Sequence, residues 1–370
     1  MDVLHAPNQY EGVHCYDEWT PLKEVLLASV LGANHTVDPS FRFFYNKVNV
    51  KGDETNRTRV PDEIAEEHER EIQDFASVLR SAGVVVREQQ RYEFLTPFKT
   101  PYWKAYSRPS DNPRDQFIII GDTIVETPPV VRDRYFENDA WKPHLYGYFS
   151  AGSRWITAPR PMMLASSYDW DAVDDFNREA YTLEESTPIK GPGVEMMFDG
   201  AQIVKVGVDL IMNVRNANDH LGFQWMRREF PQYRWHAVNL GSNTDHIDGE
   251  FSIIRPGLIL AAPRIVNHWD RLPSFMQAWD CIPMTDRVLP DDNEGVSPYL
   301  ASDSLYVNTL SLDENTVFIS AAAHETIKQL ELHGVTCVPV KYGWQRLFGG
   351  GIHCSTLDVR RTGNLEDYTQ

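Results

Sequence analysis

The 370-residue chain predicts an α/β fold: five ββαβ modules in a pseudo-symmetric ring, read as one domain over residues 1–370 and closed by strands from its two ends. Three observations predict it. A unit of two short strands around a turn, an amphipathic helix and a further strand recurs, although the residues themselves do not repeat. Five helix-then-strand pieces accompany only four complete hairpins. Strand-like runs near the two termini supply the missing pair. An open α/β sheet with antiparallel additions is the competing architecture.

In chain order, Glu24 to Ser29 reads as a strand that would pair with Ser355 to Arg360, removing the open edges that a stack of small sheets would leave. Pro61 to Ala82 places Ile72, Phe75, Ala76 and Leu79 on one helical face, and Gly83 ends the helix before Val84 to Val86. A hairpin follows at Phe117 to Glu126 around Gly121 and Asp122, then a helix at Arg132 to Ala151 before Trp155 to Thr157. The third module runs from a hairpin at Gln202 to Val214, through a helix at Leu221 to Phe230, to Tyr233 to Leu240. The fourth turns at Pro256 and Gly257 within Phe251 to Ala262, with Trp269 to Trp279 leading into Cys281 to Met284. The fifth places its hairpin at Leu305 to Ser320 and its helix at Glu325 to His333, before Thr336 to Val340.

Composition excludes several classes of function. A formal net charge of −18 repels phosphate backbones and anionic lipid, which argues against nucleic-acid and membrane partners and draws in cations. Met1 to Gly12 has neither a basic n-region nor an apolar h-region, so a cytoplasmic protein is expected. The sequons at Asn34 and Asn56 are then chance matches. Four cysteines, Cys15, Cys281, Cys337 and Cys354, are too few and too scattered for a disulfide framework. No C-x-x-C or H-E-x-x-H spacing accompanies the His-Cys pairs, and Gly349 to Gly351 lack the Lys-Ser/Thr of a phosphate loop. Neither a metal nor an organic cofactor is expected.

The modular reading gives the chemical residues a common position, the corner just ahead of each module's first strand. Asp115 precedes Phe117, Asp199 precedes Gln202, His246 and Asp248 precede Phe251, Ser302 and Asp303 precede Leu305, and Cys354 precedes Thr356. Each Asp taken singly suits a turn that satisfies its own backbone. Equivalent corners of a ring converge on one axis, however, and together these supply a nucleophile, a base and several carboxylates.

The motifs at those corners resemble an enzyme family. Pro113-Arg114-Asp115, Phe198-Asp199, His246-Ile247-Asp248 and Gly349-Gly350-Gly351-Ile352-His353-Cys354 are similar to those of the L-arginine-dependent amidinotransferases. The likeness runs from Tyr16-Asp17-Glu18-Trp19 to Thr362-Gly363, nearly the whole chain. It implies a five-bladed α/β propeller and a homodimer. It also implies Cys354 as nucleophile, His246 as general acid/base, Asp199 as its orienting partner, and Asp115 and Asp248 as holders of the donor guanidinium. Transfer would be ping-pong, from L-arginine to a primary amine, with ornithine released. The chemistry needs these types, because guanidinium carbon is a poor electrophile and a thiolate attacks it best near neutral pH.

Departures from the family pattern concern the acceptor. Asp245 stands where the glycine enzymes carry an apolar residue, and a carboxylate there favours a cationic acceptor such as lysine. Arg264 falls near the position for the donor carboxylate, although Pro263 and Ile265 do not align cleanly. Ala301-Ser302 keeps one of two expected small hydroxyls, and the loops Thr36 to Glu54 and Gly241 to Asp245 would select among amines. Two other readings stand beside this one: a guanidino hydrolase resembling arginine deiminases or dimethylarginine hydrolases, and a noncatalytic propeller.

Overall fold

An antiparallel strand pair extended by a parallel third strand is built five times. The computed structural model describes residues 10–31, 34–36, 40, 57–89, 97–108, 111–174, 193–240, 246–288 and 301–369. In the first sheet Leu22–Leu27 pairs antiparallel with Thr356–Arg361 and parallel with Val85–Glu88, so the two ends of the chain do share a sheet. The second holds Phe117–Ile120, Thr123–Glu126 and Arg154–Thr157, and the third Ile203–Val206, Asp209–Asn213 and Arg234–Val238. The fourth holds Phe251–Arg255, Leu258–Ala261 and Asp280–Pro283, and the fifth Leu310–Asp313, Thr316–Ser320 and Thr336–Val340.

Each sheet lies between two apolar clusters, and the strand Phe117–Ile120 is buried and apolar on both faces. In Phe117–Ile120, Phe117 and Ile119 pack toward Leu26, Leu357 and Val359 of the first sheet. Ile118 and Ile120 point the other way, onto Ile203, Leu210 and Met212 of the third. Further clusters join the third sheet to the fourth through Val206, Ile211, Phe251 and Ile259, and the fourth to the fifth through Ile254, Leu260, Val317 and Ile319. The last joins the fifth back to the first through Leu310, Phe318, Val25 and Leu27, with Phe75 and Leu79 of the helix Asp62–Ser81.

Three helices differ from expectation. Arg132 to Ala151 is not one helix: Arg132–Arg134 and Glu137–Trp141 are 3-10 turns, and the α-helix is Lys142–Ser150 with Pro143 in its first turn, where a missing N–H costs nothing. Pro273 divides the expected Trp269 to Trp279 helix into Trp269–Arg271 and Ser274–Gln277. The third-module helix begins earlier than expected, at Ala217, because Asn216 caps it by accepting from the Asp219 N–H. A fourth correction concerns a strand. The fifth hairpin starts at Leu310, since Leu305–Val307 forms a 3-10 turn, so its corner residue is Asn308 rather than Ser302 or Asp303.

Candidate active site

The corners are joined through backbone before any side chain meets another. Asp115 lies on the single turn Pro113–Gln116, and the next corner packs so closely against it that a Cβ on Gly200 would meet the Arg114 and Phe117 carbonyl oxygens at 2.5 and 2.4 Å. Asp199 precedes the turn Gly200–Gln202, with its N–H donating to Gln202 Oε1 at 2.7 Å. The Ile247 N–H donates to the Ala201 carbonyl at 2.9 Å, which seats His246 and Asp248 against the third sheet.

The Cys354 corner depends on its glycines. Gly349 has φ of 77°, a conformation that side chains disfavour. A Cβ on Gly350 would lie 1.9 Å from Asn112 Oδ1, and one on Gly351 would lie 2.6 Å from Asn308 Oδ1. The close approach turns Asn308 into the hub of the site. Its Oδ1 accepts the His353 and Cys354 N–H groups at 2.8 and 3.0 Å, while its Nδ2 donates to Cys354 Sγ at 3.1 Å and to the Asp248 carbonyl at 3.0 Å.

Around this frame the side chains form one buried, charged cluster. Cys354 is 3% exposed and its thiol donates to Asp248 Oδ2 at 3.3 Å. His246 Nε2 meets Asp199 Oδ2 at 3.0 Å, and its Nδ1 lies 3.6 Å from Asp115 Oδ1. Arg134 Nη1 donates to Asp115 Oδ2 at 2.7 Å, lies 4.0 Å from Asp199 Oδ2, and is itself held by Glu137. Burial pushes the Asp115 carboxyl up to about 6, against the pull of His246 and Arg134. Burial opposes charge on His246 too, but Asp115, Asp199 and Asp248 outweigh it and raise the imidazole to about 9. Asp248 is carried down to about 2, because the His353 hydrogen bond and the charges of His353, His246 and Arg114 overcome its burial. Burial, then Asp248 and Asp115, drives the Cys354 thiol well above its ordinary range.

Asp115, Asp199 and His246 also present oxygen and nitrogen atoms within 4.8 Å of one another, a spacing that suits a metal ion. The residues do not fit one. Arg134 already places a cation against both carboxylates, and a histidine protonated up to about 9 offers no lone pair at neutral pH.

Cys354, His246, Asp199, Asp115 and Asp248 are therefore brought together. Arg264 and Ser302 share a different feature, a cavity of about 280 Å³ lined also by Glu250, Met284, Asp286 and Asp303, where Arg264 pairs with Glu250. Asp245 lies outside the described residues, as do the loop Gly241 to Asp245 and most of Thr36 to Glu54. Sequence reasoning missed Asn308 and Arg134. The run Leu305-Tyr306-Val307 has strand composition, which hid Asn308 at the corner, and Arg134 was absorbed into a long helix that does not form.

No model of a known protein family matches the chain. It is 31% identical over 366 residues to the mitochondrial glycine amidinotransferase of Xenopus tropicalis, covering 95% of this chain and 84% of that one. To inosamine-phosphate amidinotransferase 1 of Streptomyces glaucescens it is 30% identical over 362 residues, covering 96% and 99%. The solved inosamine-phosphate amidinotransferase of Streptomyces griseus superposes with a TM-score of 0.84 at 30% identity, over 98% of this chain and all of that one. An amidinotransferase of the saxitoxin biosynthetic pathway from Microseira wollei gives 0.81 at 29%, with the same coverage. A dimethylarginine dimethylaminohydrolase, at 14% identity and a TM-score of 0.54, shares the fold alone. With relatives at this identity over almost its entire length, and with the sheets and corners described above, the chain belongs to the amidinotransferase family.

Proposed function

We propose that the protein moves the amidino group of L-arginine to a primary amine through a covalent amidino-Cys354 intermediate and releases L-ornithine. The observation that carries this reading is a set of buried carboxylate oxygens in the cluster that includes Cys354. Asp115 Oδ1, Asp199 Oδ1 and Asp248 Oδ1 are all buried and accept no hydrogen bond. Buried acceptors of this kind are costly unless a ligand supplies donors, and a planar guanidinium supplies several in a rigid fork.

The charges suggest an order of events. Before substrate binds, Cys354 is a neutral thiol and His246 an imidazolium. A guanidinium held by Asp115 and Asp248 offsets the carboxylate charges that, after burial, keep the thiol protonated, and the thiol proton passes to solvent as the cation enters. The thiolate attacks the guanidinium carbon and a C–S bond forms. His246 gives its proton to the departing nitrogen, the C–N bond breaks, and ornithine leaves. An acceptor amine then attacks the amidino carbon and passes a proton to His246, and the C–S bond breaks to restore the thiolate. Asp199 holds the imidazole for both halves.

In this reading the five sheets are the blades of one propeller domain around the site. The 280 Å³ cavity with Arg264 and Ser302 is taken to receive the carboxylate end of the donor, and Asp245 to favour a cationic acceptor such as lysine. The protein is taken to be a cytoplasmic homodimer. Incubation with L-arginine and a panel of amines, read by mass spectrometry, tests the proposal. Ornithine release that needs an added amine, with an amidino adduct lost in Cys354→Ser, is the expected result. Citrulline without an amine would overturn it in favour of a hydrolase, and an unchanged product ratio in Asp245→Asn would remove the acceptor assignment.

A further inference from the structure

His353, the residue before the nucleophile, has no assigned part in transfer, yet its ring spans two buried acids. Nδ1 donates to Asp248 Oδ2 at 2.8 Å, the same oxygen that receives the Cys354 thiol. On the opposite edge Nε2 lies 3.6 Å from Glu18 Oε2. Glu18 does not move freely, since Lys205 Nζ holds its other oxygen at 2.6 Å and Arg114 lies 3.7 Å away. The His353 backbone is fixed as well, through its N–H to Asn308 and its carbonyl to Arg114 Nε at 2.9 Å. The ring is hydrogen-bonded at its Nδ1 edge and faces the Glu18 carboxylate at the other.

On the side that faces Glu18 the space beside the ring is small. The cavity that His353 lines with Glu18, Arg114, Asp248, Thr309 and Ser311 holds about 20 Å³, room for roughly one water and for no amino acid. The contact His353 makes with the reacting cluster is its hydrogen bond to Asp248. By occupying Oδ2 from below, it fixes the rotation of that carboxylate, which leaves Oδ1, buried and without a donor, as the oxygen open to a guanidinium.

We infer that His353 is a positioning residue: anchored by Glu18, it sets the rotation of the Asp248 carboxylate so that one oxygen takes the thiol and the other takes the donor's guanidinium. This rests on the proposed function in one respect, that the guanidinium is bound by Asp248. The two ring nitrogens carry different tasks, and amide side chains separate them. Asn places its amide nitrogen where Nδ1 stands and reaches Asp248 but not Glu18. Gln places its nitrogen where Nε2 stands and reaches Glu18 but not Asp248.

The test uses full-length Cys354→Ala, which binds without turning over, and measures L-arginine affinity by calorimetry. Adding His353→Asn is expected to leave the dissociation constant within about threefold, because the donor to Asp248 is kept. Adding His353→Gln is expected to weaken it about tenfold or more, with thermal midpoints of the two variants alike. Equal affinity in the Gln variant and its parent would overturn the inference, as would equal losses in both variants, which would mark a packing role. If Cys354→Ala binds no L-arginine at all, the donor assignment fails first, and the inference falls with it. Should the Gln variant not fold, His353→Ala supplies the second measurement: it removes the donor to Asp248, so a loss of about tenfold or more is expected, while an affinity within about threefold of the parent would overturn the inference.

Discussion

Asn308 carries more of the site than any ionisable residue, because one amide fixes the thiol, two backbone N–H groups and the Asp248 carbonyl. Asn308→Ala leaves two buried N–H groups without acceptors and is expected to destabilise the protein by about 2–4 kcal/mol, read from the urea midpoint. Its turnover should fall at least tenfold, in roughly the proportion that Cys354 loses its position. His246 gives a second prediction at this scale. Its imidazole is raised from an unfolded value near 6.5 to about 9, so the folded protein holds the proton more tightly. The resulting stabilisation is complete below about pH 6.5 and is lost as pH rises through about 9. Urea titrations across that window should show the loss in the wild type and a much flatter curve in His246→Gln. In the proposed mechanism turnover needs the same proton, so kcat/KM is expected to decline on the alkaline side near the same pH.

The glycine run before Cys354 acts as an element with one admissible shape. A Cβ on Gly350 would stand 1.9 Å from Asn112 Oδ1 and 2.7 Å from Cys354 Cβ, and both neighbours are buried. Gly350→Ala is therefore expected to cost about 1–3 kcal/mol or more and to displace the thiol, which proteolytic mapping of Cys354 alkylation rates would register as a change from the wild type. This element became legible once the repeat placed Cys354 at a corner, since a Cys after three glycines is by itself more often a small buried hydrophobe. The hairpins were legible for a local reason: Gly121, Gly207 and Gly257 take positive φ between runs of β-branched residues. Helices broken by proline were not. Lys142–Ser150 and Ser274–Gln277 are short because Pro143 and Pro273 start them, and the residues ahead form 3-10 turns whose side chains, Arg134 and Glu137 among them, serve the site rather than a helical face. Hydrophobic periodicity has no way to report a turn built around a buried ion pair. The same limit hid Asn308, whose importance comes from hydrogen bonds across 46 positions to Cys354.

Across the whole molecule, the ends of the chain are fastened by charge as well as by strand pairing. Arg361, fully buried, binds Asp358 Oδ2 at 2.5 Å and donates to the Ser311 carbonyl at 2.7 Å, so the last strand of the first sheet grips the fifth. Asp358 in turn binds Arg114 at 2.5 Å, and Arg114 holds the carbonyls of His353 and Thr356 at 2.9 and 3.0 Å. The clasp that joins the chain ends is therefore continuous with the backbone that carries Cys354. Removing one partner of a buried pair strands the other, so Arg361→Ala is expected to lose about 3–5 kcal/mol. The loss should not be uniform. If the clasp ties closure to the site, amide exchange in Arg361→Ala will rise together in Leu22–Leu27 and Thr356–Arg361, which pair with each other, and the Cys354 corner will open with them. A variant in which exchange rises only in Thr356–Arg361, with Cys354 alkylation unchanged, would show the site to be held by Asn308 and the glycine run alone, independent of how the ends of the chain are joined.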